Sequence, residues 1–240
     1  MNKNSNSYQI IYSAIMVVLV GAVLALIYMS LKPKQDENIA NDTRNQILSA
    51  LHIASPSEAE IPATYEKYVT QDLLIDRDGN VIDSAQNCAF GVDMSKNIKL
   101  ADADRQLPVF KCTIDDGSVK YVIPVYGAGL WGPIWGYVAM NADGQTIYGA
   151  NFSHSGETPG LGARITEAGF QQQFEQKSLY KEGVFKSVSV LKKGQKVTDG
   201  SDYVDAISGA TITSRGVGTM MQQCMSAYEP FFKRLQSVTK

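Results

Sequence analysis

The feature that most constrains this chain is a stretch without charge from Asn4 to Leu31. Its main part, Tyr8–Leu31, reads YQIIYSAIMVVLVGAVLALIYMSL. As an α-helix rising about 1.5 Å per residue, it is long enough to cross a hydrocarbon core of roughly 30 Å. Tyr8 and Tyr12 lie near its first end and Tyr28 near its second. Aromatic rings at such positions favour the membrane interface. We therefore predict a transmembrane helix over residues 8–31, preceded by a short N-terminus of residues 1–7.

A cleaved signal peptide is the alternative interpretation of this stretch. The apolar region of a signal peptide covers about 7–15 residues and ends at a cleavage site with small residues. Here the apolar run is longer, and Met29–Pro33 (MSLKP) is a poor cleavage site, which favours a retained anchor. Its orientation stays open, because Lys3 and the amino terminus precede it while Lys32 and Lys34 follow it.

The composition of the 240 residues argues against several functional classes. A formal net charge of -2 is unlike the basic surface of a nucleic-acid-binding protein. Three widely spaced cysteines, without a CxxC pair, and two histidines give no support for a metal site. Free thiols are favoured for Cys88, Cys112 and Cys224, with a Cys88–Cys112 bridge as the alternative in an oxidising compartment.

The residues after the anchor predict an α+β domain of mainly antiparallel sheet with packed helices. Residues 32–40 are interpreted as a polar linker and residues 41–240 as the domain, in which Asp42 caps a short helix, TRNQILSALHI. Three Asp-Gly pairs each separate two strand-like runs, a strong signal for β-hairpins. The paired runs are Leu73–Ile75 with Val81–Ile82, Val109–Ile114 with Val119–Val125, and Ile134–Met140 with Thr146–Phe152.

Helical patterns return at Ala168–Gln176 and after Ser214, and Ser187–Leu191 alternates as a strand does. Helices packed on an antiparallel sheet give the α+β class. Residues 84–108 match no pattern with a clear structural meaning and are left unassigned.

Chemistry is indicated most clearly by the segment Asp205–Arg215, DAISGATITSR. Its small residues Gly209 and Ala210 let the backbone come close to another group. A helix expected to begin near the end of the segment has free N–H groups at its start, which favour an anion. The segment also presents four hydroxyls, on Ser208, Thr211, Thr213 and Ser214.

This pattern indicates a phosphate held near a hydroxyl. The alternative is an ordinary helix start in which Thr213 or Ser214 caps the helix, with small residues in the turn before it. Capping explains those two residues well, but it gives no reason for the whole run D-x-x-S-G-A-T. Physical chemistry alone leaves the two interpretations equally supported.

A second segment, His154–Gly162 (HSGETPGLG), has a turn at Pro159-Gly160 and open backbone groups. Such backbone can lie against a flat ring system, and an ordinary surface loop is the alternative. A hydrolase is disfavoured, because neither Ser153 nor Ser155 lies in a G-x-S-x-G elbow and adjacent residues in a strand point apart.

Three glycines at 127, 129 and 132 match the pattern G-x-G-x-x-G of dinucleotide-binding folds. Such a fold needs a helix directly after the glycines. The sequence continues with Pro133–Gly136 (PIWG), which leads into a strand, so this interpretation is rejected. Trp131 and Trp135 are interpreted as core residues or, alternatively, as shields of a cofactor.

Three stretches together resemble the covalent FMN-binding domain family found in the C-type subunit of the sodium-translocating NADH:quinone oxidoreductases. They are GLWGPIWGYVAM at Gly129–Met140, HSGETPGLG at His154–Gly162, and SGATITS at Ser208–Ser214. Their order, their spacing and the single N-terminal anchor extend the resemblance over nearly the whole chain.

The resemblance implies that FMN is joined through its phosphate to the hydroxyl of Thr211, by a separate flavin transferase that uses FAD. Asp205 matches the leading acid of the recognition motif. The neighbours of the phosphate are then Ser208, Gly209, Ala210 and Thr213. The residues implied or proposed beside the flavin ring are Glu157, Thr158, Gly160, Leu161, Gly162 and Trp131.

The resemblance also implies a cytoplasmic N-terminus, a single pass through the bacterial inner membrane and a periplasmic domain. The expected role is an electron relay between neighbouring membrane subunits of a sodium-pumping NADH:quinone reductase, with no independent catalysis by this chain. Two alternatives remain. One is the G-type subunit of the related ferredoxin-linked ion-translocating complex, and the other is a membrane-anchored assembly or binding module without flavin.

Overall fold

The computed structural model describes residues 6–55, 57–101, 104–195 and 197–238. Most of the predicted N-terminus of residues 1–7 therefore lies outside the described residues. The chain divides after Thr43 into two compact units. The first unit consists of helical residues whose apolar side chains are largely exposed, and the second contains the sheet and the remaining helices.

Helix α1, Asn6–Ala50, contains the predicted transmembrane segment. Among the described residues it is the helix long and apolar enough to cross a membrane. The prediction of a polar linker at 32–40 and of a separate helix capped by Asp42 was wrong, because α1 runs through both. The helix continues past Pro33, and residues 34–41 (KQDENIAN) contain no further Gly or Pro to end it. Lys32 also pairs with Asp36 at 2.6 Å one turn later.

Six antiparallel strands form the main sheet, in the order β2-β1-β3-β4-β5-β6. All three hairpins predicted from Asp-Gly are confirmed, and each turn places its glycine at a positive φ. The strands are β1 Val69–Ile75, β2 Val81–Asp83, β3 Leu107–Thr113, β4 Val119–Ala128, β5 Pro133–Asn141 and β6 Ile147–His154.

Helices cover both faces of this sheet, which confirms the α+β prediction. On one face Ile47 and Leu48 of α1, and Leu51 directly after it, are buried together with α2, Ile61–Tyr68. On the other face lie α4, Ala168–Gln171, the long α5, Thr211–Ala227, and α6, Glu229–Val238. Alternate side chains of a strand point to opposite faces, so the two apolar clusters share the central strands.

Short elements complete the second unit. The unassigned stretch 84–108 contains α3, Met94–Asn97, and the side chain of Asn97 exchanges two hydrogen bonds with the backbone of Gln106. The strand predicted at 187–191 is present as β9. The remaining strands are β7 Tyr180–Lys181, β8 Val184–Phe185, β9 Ser189–Leu191 and β10 Tyr203–Asp205, with β9 and β10 parallel. The three cysteines are free thiols.

Candidate functional site

The connection from β10 to α5 carries the hydroxyl-rich segment. After Asp205 the chain makes a turn in which the N–H of Ala210 donates to the carbonyl of Ile207 at 3.0 Å. Gly209 has a φ of +78°, which a side-chain-bearing residue rarely adopts. Helix α5 then begins at Thr211, whose side chain is half-buried. The N–H groups of the first turn of a helix have no partner within the helix, so this turn presents donors next to Thr211.

The expected start of this helix near Thr213 or Ser214 was wrong, and neither residue caps the helix, so the alternative interpretation was wrong as well. Both side chains are buried inside the first turn of α5. The hydroxyl of Thr213 donates to Oε2 of Glu157 at 2.5 Å, and the hydroxyl of Ser214 accepts from the N–H of Ile207 at 3.1 Å. These bonds join the helix start to other segments, whereas a cap would accept from the N–H groups of the helix itself.

Glu157 lies at the meeting point of three segments. Its side chain is buried, with 4% of the residue exposed. The carboxylate accepts from the N–H of Trp131 at 2.8 Å, from the N–H of Leu130 and from the hydroxyl of Thr213. Thus one carboxylate connects the loop before β5, the loop after β6 and the start of α5, and the three stretches singled out in the sequence converge.

The charged form of Glu157 is favoured in this position. Burial alone would raise the pKa of this carboxyl, but the hydrogen bonds from Thr213 and from the backbone of Trp131 and Leu130 outweigh burial. These hydrogen bonds hold the pKa of Glu157 below its ordinary value of 4.5. His154 accepts, through Nδ1, from the backbone N–H of Glu157 at 3.2 Å, which fixes the start of the loop.

Two glycines make room for the carboxylate. A Cβ atom on Gly129 would meet Oε1 of Glu157, and a Cβ atom on Gly162 would meet Oε2. The latter would also lie 2.7 Å from the hydroxyl oxygen of Thr213. Any larger residue at either position has to displace the buried carboxylate, so the glycines in G-L-W-G and G-L-G have a packing role.

The loop around Pro159 projects outward from this buried connection. Gly160 has a φ of +74° and nothing within 4 Å of the Cβ position. The carbonyl of Thr158 accepts from the N–H groups of Leu161 and Ala163, both at 3.1 Å, which closes the turn. Thr158 and Gly160 are exposed, whereas Gly162 is buried.

Large apolar side chains are exposed around the same site. Trp131 is 69% exposed and is therefore not a core residue, whereas Trp135 is half-buried and its indole N–H donates to Gln46 at 3.1 Å. Two exposed residues that the sequence analysis did not single out are Leu130 and Ile212, at 47% and 58%. Both lie inside the quoted motifs, and the signal that could have found them is an apolar side chain directly next to Trp131 or Thr211. Leu161, at 43%, is the fourth member of this surface.

Similarity to known proteins covers this site and most of the chain. The model of the FMN-binding domain family matches residues 129–226. The C-type subunit of the Na(+)-translocating NADH-quinone reductase of Neisseria meningitidis serogroup B is 30% identical over 237 residues, which cover 92% of this chain and 89% of that protein.

Two solved structures have a fold similar to that of this chain. The C-type subunit of the same kind of reductase from Parabacteroides distasonis is 42% identical, with a TM-score of 0.77, and the match covers 84% of this chain and 96% of that one. Shewanella oneidensis NqrC is 32% identical, with a TM-score of 0.69, and the match covers 82% of this chain and 98% of that one.

The residues present fit FMN. A flavin phosphate needs donors and an open approach, and the first turn of α5 offers N–H groups beside Thr211 and the small, exposed Gly209. A flavin ring needs flat apolar contacts, which the exposed Trp131 and Leu161 can provide.

Proposed function

Since the chain belongs to the family of C-type subunits of the Na(+)-translocating NADH-quinone reductases, we propose that it holds FMN as a phosphoester on Thr211 and relays electrons within that complex. The observation that carries the proposal is which hydroxyls of the segment 208–214 are already hydrogen-bonded within the protein. Thr213 and Ser214 are buried and hydrogen-bonded to other segments, which leaves Thr211 and Ser208 as candidate acceptors. Thr211 is favoured, because it occupies the first position of α5, next to the N–H donors.

Attachment of FMN replaces one phosphoester by another. The hydroxyl oxygen of Thr211 forms a bond to the phosphorus of the FMN half of FAD, the pyrophosphate bond breaks, and AMP leaves. The hydroxyl proton passes to a base of the transferase or to solvent. The attached phosphate keeps a negative charge, which the N-terminus of α5 stabilises by about 0.3–1 kcal/mol at an exposed position.

The remaining site residues hold and orient the group. Ser208, Gly209 and Ala210 line the approach to the hydroxyl, and Gly209 packs against Leu161, whose Cδ2 would lie 2.9 Å from a Cβ atom there. Thr158, Gly160, Leu161 and Trp131 provide the exposed surface for the ring. When bound, FMN supplies the redox chemistry and accepts or gives electrons singly or in pairs.

Helix α1 anchors the FMN-carrying domain to the membrane in this proposal. We propose that α1 crosses the inner membrane once, in contact with lipid, with a cytoplasmic N-terminus and the domain in the periplasm. Sodium passage is assigned to other membrane subunits of the translocase, since the described part of this chain offers one candidate span. A covalent bond keeps the flavin from being lost into the periplasm.

Exchange of Thr211 tests the attachment. Thr211→Val removes the hydroxyl with little change in shape, so we expect no covalent flavin on a folded chain. Thr211→Ser keeps a hydroxyl and should retain flavin, and Ser208→Ala should retain it as well. Each variant is expressed with the transferase and digested, and the modified peptide is located by mass spectrometry.

Flavin that persists in Thr211→Val would assign attachment to another residue. A wild-type chain free of covalent flavin, although the transferase is active, would favour a domain that binds FMN without a bond or a module without flavin. Thermal unfolding of each variant separates loss of the acceptor from loss of the fold.

A further inference from the structure

We propose that Glu157 is a positioning residue for the attachment at Thr211. This inference rests on the proposed function, because it assumes that Thr211 is the acceptor. The buried carboxylate holds the first turn of α5 in the arrangement that presents the Thr211 hydroxyl to the transferase. Glu157 itself acts through Thr213.

The first observation is the direct link between the carboxylate and the helix start. Oε2 of Glu157 accepts from the hydroxyl of Thr213 at 2.5 Å, and Thr213 is two residues from Thr211 in the same turn. A hydrogen bond to an ionised group is roughly twice as strong as one between neutral groups. The position of this turn therefore depends on Glu157.

The second observation is that the carboxylate is held firmly on its other side. Oε1 accepts from the N–H of Trp131 at 2.8 Å, in the tight loop between β4 and β5. That loop is closed by the N–H of Gly129, which donates to the carbonyl of Gly132 at 2.8 Å. Glu157 thus connects the loop between β4 and β5 to the start of α5.

The third observation is that the site is built around the carboxylate. The missing side chains of Gly129 and Gly162 leave the space that Oε1 and Oε2 occupy. The ionised form is favoured by its hydrogen bonds, and the N-terminus of a 17-residue helix favours a negative charge beside it. A buried charge with this set of donors is costly to misplace, because every donor would lose its partner.

A consequence for specificity follows from the same contacts. Glu157 engages the hydroxyl of Thr213, and Ser214 engages the N–H of Ile207, so the two buried hydroxyls do not compete with Thr211 for the flavin. The carboxylate of Glu157 therefore orients the acceptor Thr211 and also keeps the hydroxyl of Thr213 from reacting in its place.

The test compares initial rates of FMN transfer to the full-length chain in detergent, with FAD and the transferase, well below the unfolding temperature. Thr213→Val removes the donor to Glu157, and Thr213→Ser keeps it. We expect a loss of about 10-fold or more for Thr213→Val, since a displacement of about 1 Å can slow a reaction by as much as 100-fold. Thr213→Ser should restore most of the rate. Glu157→Ala should resemble Thr213→Val where it folds.

A destabilised control separates positioning from stability. Phe232 is fully buried in α6, where its ring packs against Tyr228 and Phe231. Phe232→Leu should lower the unfolding temperature yet leave the transfer rate near wild type. If Thr213→Val were no slower than a Phe232 variant of equal unfolding temperature, or if Thr213→Ser failed to restore the rate, the positioning role would be overturned. Absence of FMN on Thr211 in the wild type would instead contradict the proposed function.

Discussion

The single residue Glu157 gives the domain a defined dependence on pH. Its pKa in the folded chain lies below the ordinary 4.5, because hydrogen bonds from Thr213, Trp131 and Leu130 outweigh the effect of burial. A group whose pKa is lowered by folding stabilises the fold above its unfolded pKa, and this contribution is lost as pH falls through the folded value. The ionised carboxylate therefore adds stability at neutral pH that disappears in acid.

We predict that Glu157→Gln unfolds at a lower temperature than wild type at pH 7 and that the difference shrinks below about pH 4. The expected loss at neutral pH is about 1.5–3 kcal/mol, the range for a hydrogen bond to a charged group. Unfolding temperatures measured from pH 3 to pH 8 would check this. Glu66→Gln, at an exposed carboxyl in α2, serves as the control and should leave the unfolding temperature near wild type at every pH. A pH-independent difference for Glu157→Gln would contradict the assignment of its charge.

The role of Glu157 could not be read from the sequence. The three motifs identified the right segments, because small residues and hydroxyls beside a helix start have a known chemistry. They did not reveal that Glu157 faces inward or that Thr213 is its partner, since both facts depend on the folding of distant loops against each other. The contact of Glu157 with the flavin ring stays a prediction, and in the structure its carboxylate faces Thr213 and the backbone of Trp131.

Among the elements of the fold, the loop after β6 has an inner and an outer part. The inner part ends in Glu157 and Gly162, both buried, and the outer part is the exposed turn at Pro159-Gly160. Gly160 lies in open space at φ +74°, so a side chain there meets no neighbour but strains the backbone. This turn is the part of the loop that is free to touch a ring.

We predict that Gly160→Val changes the absorbance and the midpoint potential of the attached flavin while FMN remains on Thr211. The strain of about 1–3 kcal/mol falls on the turn, so the buried contacts of Glu157 should survive. Gly156→Val is the matched control, because Gly156 is in the same loop, has nothing within 4 Å and has no positive φ. An unchanged spectrum and potential in Gly160→Val would remove this turn from the ring surface.

Helices and strands could be predicted from the sequence where neighbouring residues alone determine them. Asp-Gly pairs require particular turn geometries, and all three hairpins formed as predicted. The start of α5 was misplaced by two residues, because hydroxyl side chains at its third and fourth positions resemble caps when their distant partners are unknown. The pairing of β9 with β10 was likewise invisible, since parallel strands need a long connection without a fixed signature.

In the chain as a whole, α1 contains both the candidate span and residues that belong to the domain. Its 45 residues are roughly twice the number that a single span needs. Its apolar first half has the composition of a span, and its last turns bury Ile47 and Leu48 in the domain core. The sequence predicted both ends of this arrangement but interpreted the polar residues between them as a linker, because polarity alone does not distinguish a solvated helix from a coil.

Topology is the prediction that belongs to the entire chain. Lys3 and the amino terminus precede the span and Lys32 and Lys34 follow it, so charge leaves the orientation nearly balanced. The proposed periplasmic domain therefore rests on the family and has to be tested. We predict that a reporter active only in the cytoplasm is inactive when fused after Lys240 and active when fused before Met1. A reporter that needs the periplasm should give the opposite pair of results, and equal amounts of each fusion in the membrane fraction are the control. A cytoplasmic reporter that works after Lys240 would place the domain, and with it Thr211, on the cytoplasmic side, and the proposal of a periplasmic relay would then fail.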